Sequence, residues 1–241
     1  MKALVIKEIR SYLSSIIGYA AIVVFLITTG FLVWVISGTN NIIEMGEASL
    51  QSFFYHAPTV LIFLFPAFTM RCFADEKKIG TFELLATKPI SLSNIILAKF
   101  FAASLLAILT IIPTLIYYLS VYYMGETTGN IDHPSTIGSY LGLILLSICF
   151  VSIGLLASSL AKNQVIAFLL GLFFNFLFYV GFSYLATMSG SPVDYYLVKM
   201  SMMEHFIALQ RGVVDSRDVV YFISVICFSL YLTKVIIAVK K

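Results

Sequence analysis

Charge is what this sequence has least of. Only 11% of its 241 residues are Asp, Glu, Lys or Arg, against about 25% in an ordinary soluble domain, which excludes a chain that keeps most of its surface in water. Cysteine is sparse as well. Cys72, Cys149 and Cys227 fall within or at the edges of apolar runs. Their spacing is neither paired nor metal-like, so they read as small packed residues. No Gly-rich phosphate loop ending in Gly-Lys-Ser or Gly-Lys-Thr is present, so the chain cannot be read as an ATPase by itself. A His-Glu-x-x-His helix and a Gly-x-Ser-x-Gly elbow are also missing. No catalytic, cofactor-binding or metal-binding residue is therefore expected, nor a nucleic-acid partner. The apolar runs hold almost no ionisable residues, whereas an ion- or proton-coupled carrier keeps such groups at mid-membrane depth.

What the sequence does have is apolar length: 60% of its residues are hydrophobic. A membrane-spanning helix needs about 20 mostly apolar residues, and residues 16–37, 53–73, 98–123, 137–160, 164–186 and 218–239 meet that test. The expected fold class is an all-α membrane protein with six transmembrane helices, forming one membrane domain over 1–241. The first run is too long for a cleavable signal peptide and is expected to persist. Lys2, Lys7, Arg10, Arg71, Lys77, Lys78, Lys88, Lys99, Lys162 and Lys234 gather on the side of the termini, while Lys199, Arg211, Arg217 and most acidic loop residues lie on the other. That bias puts both termini in the cytoplasm.

Between the second and third runs lies the one long polar stretch, Arg71 to Ser91. The second helix can run on to Lys78, and Gly80 suits a left-handed stop. Thr81 can cap a new helix, and Lys88, which precedes Pro89, is disfavoured in the helical region. Ser91 or Ser93 can then cap the third run. A short helix over 81–88 follows, presenting Phe82, Leu84 and Leu85 beside charged residues. From composition alone, a docking element and an ordinary interfacial loop fit equally well.

Residues 1–15 set Val5, Ile6, Ile9, Tyr12 and Leu13 on one helical arc, with Lys7, Glu8, Arg10 and Ser11 on the other. This is the pattern of an interfacial helix. Gly138 and Gly142 form a small-xxx-small pair suited to close helix packing. Asn175, the one strongly polar residue of the fifth run, is expected to hydrogen-bond a neighbouring helix. Before the last run, Val193, Tyr196, Leu197, Met200, Met203 and Ile207 form a stripe over 191–211 that Arg211-Gly212 closes. It reads as an external helix or helix pair. His205 beside Glu204 could do acid–base work, but no third partner is visible.

The stretch Asp75-Glu-Lys-Lys-Ile-Gly80-Thr-Phe-Glu-Leu-Leu-Ala-Thr-Lys-Pro89-Ile-Ser resembles the type-2 permease family of ABC transporters. In that family a polar segment, Gly-Thr, a short Glu-Leu-Leu helix and Pro-Ile precede the third span. The ending Met203-Glu-His-Phe-Ile-Ala-Leu-Gln-Arg-Gly to Tyr221-Phe222 is similar to the branch associated with gliding motility in Bacteroidetes. The resemblance implies that 81–88 is a coupling helix docking an ATPase through Glu76, Lys77, Gly80, Thr81, Phe82, Glu83, Leu84, Leu85, Thr87 and Pro89. An interfacial helix carrying Lys7, Glu8 and Arg10 would flank the same surface. It further implies a bacterial cytoplasmic (inner) membrane location and a cytoplasmic ABC ATPase dimer. A second permease subunit, identical or related, and the lipid bilayer complete the expected partners. ATP would be hydrolysed on the partner, so the chain itself is not expected to be an enzyme. The aromatic-rich spans fit an amphiphilic or envelope-associated substrate. The alternative is a scaffold that recruits a cytoplasmic ATPase to a motility or envelope complex without moving solute.

Overall fold

The computed structural model describes residues 2–38, 41–80, 91–125, 127–189 and 193–239. Among these residues every regular element is helical. Helix α1 is Lys2–Leu13. Helix α2, Ile16–Gly30, widens into a π turn at Phe31–Val35. Helices α3, Gln51–Thr69, and α4, Arg71–Ile79, follow each other across Met70. Helix α5, Leu92–Ile111, leads through a 3-10 turn into α6, Leu115–Met124. Helix α7 is His133–Leu160. Helix α8, Gln164–Phe176, passes through a second π turn, Leu177–Gly181, into α9, Phe182–Ser189. Two short helices, α10 (Val193–Met200) and α11 (Met202–Gln210), precede α12 (Ser216–Val239).

Among the described residues six stretches are long and apolar enough to cross a membrane: Gly18–Val35, Gln51–Ile79, Leu92–Met124, His133–Leu160, Gln164–Met188 and Ser216–Val239. The chain is thus a multi-pass membrane protein. Ser91 caps the third stretch by accepting from the Asn94 N–H at 3.3 Å, so that helix begins before its apolar run does.

Helix α7 is the centre of the bundle, packing against α3, α5, α8, α11 and α12. Small side chains are what admit so many neighbours. A Cβ on Gly138 would lie 2.3 Å from the Leu209 carbonyl oxygen of α11, and one on Gly142 would lie 3.1 Å from Phe206. At the other end a Cβ on Gly154 would meet Thr69 Oγ1 of α3 at 2.1 Å. Gly154→Val therefore has to push α3 away from α7. The expected cost is about 1–3 kcal/mol, read as a thermal midpoint lowered by several degrees in detergent; an unchanged midpoint would show that the two helices are not in close contact.

Burial is uneven. In the fourth span 72% of the most apolar window is covered within the chain, against 28%, 22% and 22% in the first, fifth and sixth. Those three spans leave most of their apolar surface uncovered within the chain. The first π turn has a local cause. Gly30 leaves room for the Tyr117 hydroxyl, which donates to the Leu26 carbonyl at 2.6 Å just before the helix widens.

One expectation meets a correction here, and the ring of His205, for which the sequence shows no third partner, finds other contacts. Asn175 is fully buried on α8, yet neither its amide nitrogen nor its oxygen has a hydrogen-bond partner among the described residues. It does not hydrogen-bond a neighbouring helix as expected. His205 has no acid–base relation to Glu204. Its Nδ1 lies 2.7 Å from Asp218 Oδ1, its Nε2 lies 3.0 Å from the Lys199 carbonyl, and the ring stacks on Tyr221 at 3.8 Å. With both nitrogens facing acceptors and one face covered, the ring joins α10 and α11 to α12.

Candidate functional site

The polar stretch at the end of the second span is where local sequence rules act most clearly. Lys77 and Lys78 stand in the last turn of α4, where cations suit the carbonyl end of a helix. Gly80 then stops it with φ 76° and ψ 4°, its N–H reaching back to the Lys77 carbonyl at 3.4 Å. Positive φ costs glycine nothing. The expected coupling helix at 81–88, with Thr81, Phe82, Glu83, Leu84, Leu85, Thr87 and Pro89, lies outside the described residues. Glu76, Lys77 and Gly80 lie within them, as do Lys7, Glu8 and Arg10 of α1.

Helix α4 is held from two sides. On one side stand α1 and α5. Lys99 of α5 is 3% exposed and places its Nζ 2.6 Å from Glu76 Oε1 and 3.7 Å from Glu8 Oε1. It also lies 5.5 Å above the Phe73 ring. Lys7 Nζ lies 3.3 Å from the same Glu8 oxygen, so among the described residues two cations and two carboxylates form a cluster joining α1, α4 and α5. Beside it the Tyr12 hydroxyl and the Cys72 thiol are 2.8 Å apart. Burial, with the thiol next to it, lifts the Tyr12 hydroxyl well above its ordinary pKa, and the phenol stays uncharged.

On the other side is the turn between α7 and α8. The Ser158 hydroxyl accepts from the Phe73 N–H at 3.0 Å and the Ala74 N–H at 3.1 Å, and donates to the Met70 carbonyl at 3.0 Å. It is inserted into the backbone ladder where α3 passes into α4, one of the recognised causes of a local break in a helix. Lys77 donates to the Ser159 carbonyl, and Gln164 donates to Asp75 Oδ1.

Glu8 is a correction to the sequence reading. The helical arcs put it with solvated residues, but it is 9% exposed, because Lys99 arrives beneath it from another helix. Arg10 and Lys7 are exposed, as the arcs require. Lys99, Ser158, Ser159 and Gln164 were missed as site residues. Lys99 carried a usable signal, since it is the one charged residue between Leu92 and Met124 and an ionisable group inside an apolar run has a partner as a rule. The serines carried none. Burying such charges costs several kcal/mol per ion, so the cluster does not serve stability as well as apolar packing would. What a buried ion cluster specifies is register: α1 has one position at which Glu8 meets Lys99.

The arrangement is a brace for α4. It fixes the helix that leads into 81–90 and leaves its tip open, with Lys78, Ile79 and Gly80 exposed. A family model described as ABC-2 family transporter protein matches residues 39–236. No curated protein matches the chain.

Proposed function

The chain belongs to the ABC-2 family of transporter proteins, and from that premise we propose that the segment following Gly80 docks the ATPase that drives it. The family makes the chain a membrane permease subunit that works with an ABC ATPase. The observation that carries the docking reading is the geometry of α4. It is braced by α1 and α5 on one side and by the α7–α8 turn on the other, yet ends in an exposed tip where Ile79 is 73% accessible beside Lys78. An apolar side chain held out beside charges at a rigid helix end suits a protein contact.

In this reading both termini and the tip of α4 face the cytoplasm of a bacterial inner membrane. Two permease subunits, identical or related, sit above two ATPase subunits that hold the ATP. Closure of the ATPase pair displaces 81–90, and the push enters the second and third spans together with α1. The substrate is amphiphilic or envelope-associated, and the resemblance of Met203–Phe222 to the gliding-motility branch makes surface motility the process served. Isolating the intact complex in mild detergent is the test. A co-purifying protein with a Gly-Lys-Ser or Gly-Lys-Thr phosphate loop, matched in amount to the permease, is expected. Recovery of the chain without any nucleotide-binding subunit would remove the docking claim.

A further inference from the structure

At the end of the bundle opposite Glu8 and Lys99, two cavities of about 390 Å³ and 600 Å³ share Ala48, Ser49 and Asp132 in their linings and so stand side by side, two lobes of one trough divided by those residues. Each is within the size range of small-molecule sites. The two lobes differ in character. The larger has an apolar wall of Trp34, Ile42, Val121 and Met124, with Glu47 in the same lining. The smaller is polar, and Ser139 and Arg211 line it.

The polar groups of this trough are incompletely used by the protein. Asp132 Oδ1 accepts from the Ser135 N–H at 3.2 Å and caps α7, while its other oxygen and the Glu47 carboxylate have no hydrogen bond or ion pair among the described residues. Ser139 is 2% exposed and lines the smaller lobe. A buried helical serine ordinarily donates to the carbonyl four residues back, as Ser147 does to Leu143 at 2.6 Å. The Ser139 hydroxyl makes no such bond and has no partner among the described residues. A hydroxyl that opens on a cavity from an otherwise covered side chain, with no protein partner among the described residues, is free to bond a ligand.

We infer that this trough binds an amphipathic organic cation, its apolar body on the Trp34 and Met124 wall and its positive charge between Glu47 and Asp132. The sign of the charge follows from the lining. Among the described residues both carboxylates border the apolar lobe, Asp132 lies between the two lobes, and the cation in the lining, Arg211, stands in the smaller one. Trp34 in the same lining gives a positive group an aromatic neighbour. A ligand polar group that reaches past Asp132 meets the Ser139 hydroxyl.

Tetraphenylphosphonium is the probe, added to the full chain in nanodiscs and followed by titration calorimetry. Emission from Trp34, the single tryptophan, reports on the site itself. Saturable binding with a matching change in Trp34 emission is expected, weakened about tenfold by Glu47→Gln with Asp132→Asn, since the two charges are exposed and each contributes modestly. Asparagine caps a helix as well as aspartate does, so the double variant keeps the fold. Comparing nanodiscs with and without phosphatidylethanolamine separates two sources of such a cation. Competition by the lipid assigns the trough to a bilayer ammonium headgroup, and no competition assigns it to a soluble cation. Binding that is absent, or equally tight in the double variant, overturns the assignment. The titration needs neither ATP nor a partner protein, so its outcome is independent of the docking reading.

Discussion

Lys99→Met will loosen α1 from the rest of the bundle. The ammonium it removes sits 2.6 Å from Glu76 and 3.7 Å from Glu8. Without it, two carboxylates that met at its ammonium lose that cation in a place that water reaches poorly, with the exposed Lys7 still beside Glu8. Removing one member of a buried ion cluster costs about 3–5 kcal/mol, most of it from the charge left behind. Glu76 retains 22% side-chain exposure, so the lower end of that range applies. Amide exchange over Lys2–Leu13 is expected to accelerate roughly a hundredfold, the factor that ~3 kcal/mol gives, while exchange in α7 stays slow. Replacing Glu8 and Glu76 by leucine in the same protein should restore the protection, because an all-apolar cluster is neutral or stabilising. Unchanged α1 exchange in the single variant would show that the ion cluster does not hold the helix.

The second large effect belongs to Gly80. Its φ of 76° lies in the left-handed region, and nothing stands within 4 Å of where a Cβ would go. A substitution there meets no clash, only a backbone penalty of ~1–2 kcal/mol, with β-branched residues worst placed. Gly80→Val is therefore expected to return the residue to negative φ and send the following segment off in another direction. The rest of the bundle is untouched, so membrane insertion and thermal midpoint should match the parent protein. Recovery of the ATPase with the permease should fall to roughly a tenth or less, which requires only ~1.4 kcal/mol. Gly80→Asn is the control, since asparagine visits the left-handed region, and it should keep most of the partner. If valine and glycine recover equal amounts of ATPase, the chain direction at Gly80 plays no part in docking.

How far these features could be read from sequence depends on the range of the physics behind them. The six spans follow from summed apolar length, and the Gly80 stop follows from one residue's backbone freedom, so both were legible. Glu8 was not, because a helical arc reports only which residues share a face. It carries no information that a lysine from residue 99 lies beneath that face. Ser158 is invisible for a related reason: a serine in an apolar helix usually bonds its own backbone, and nothing local marks the one that reaches into another helix. Asn175 shows the reverse case. The general tendency of a membrane asparagine to find a partner was sound, but whether a carbonyl stands opposite it is decided by the packing of α8. His205 found its partner in Asp218, thirteen residues on, through the turn that folds α11 back onto α12.

The Ser158 hydroxyl sets how a load would travel. A rod with a joint at Met70 would by itself bend there and absorb any displacement applied at its tip. Here the joint is pinned from outside by one oxygen that grips three backbone groups around it. Movement at the tip would thereby be handed sideways into the midline helix of the molecule, and from there to the spans leaning on it.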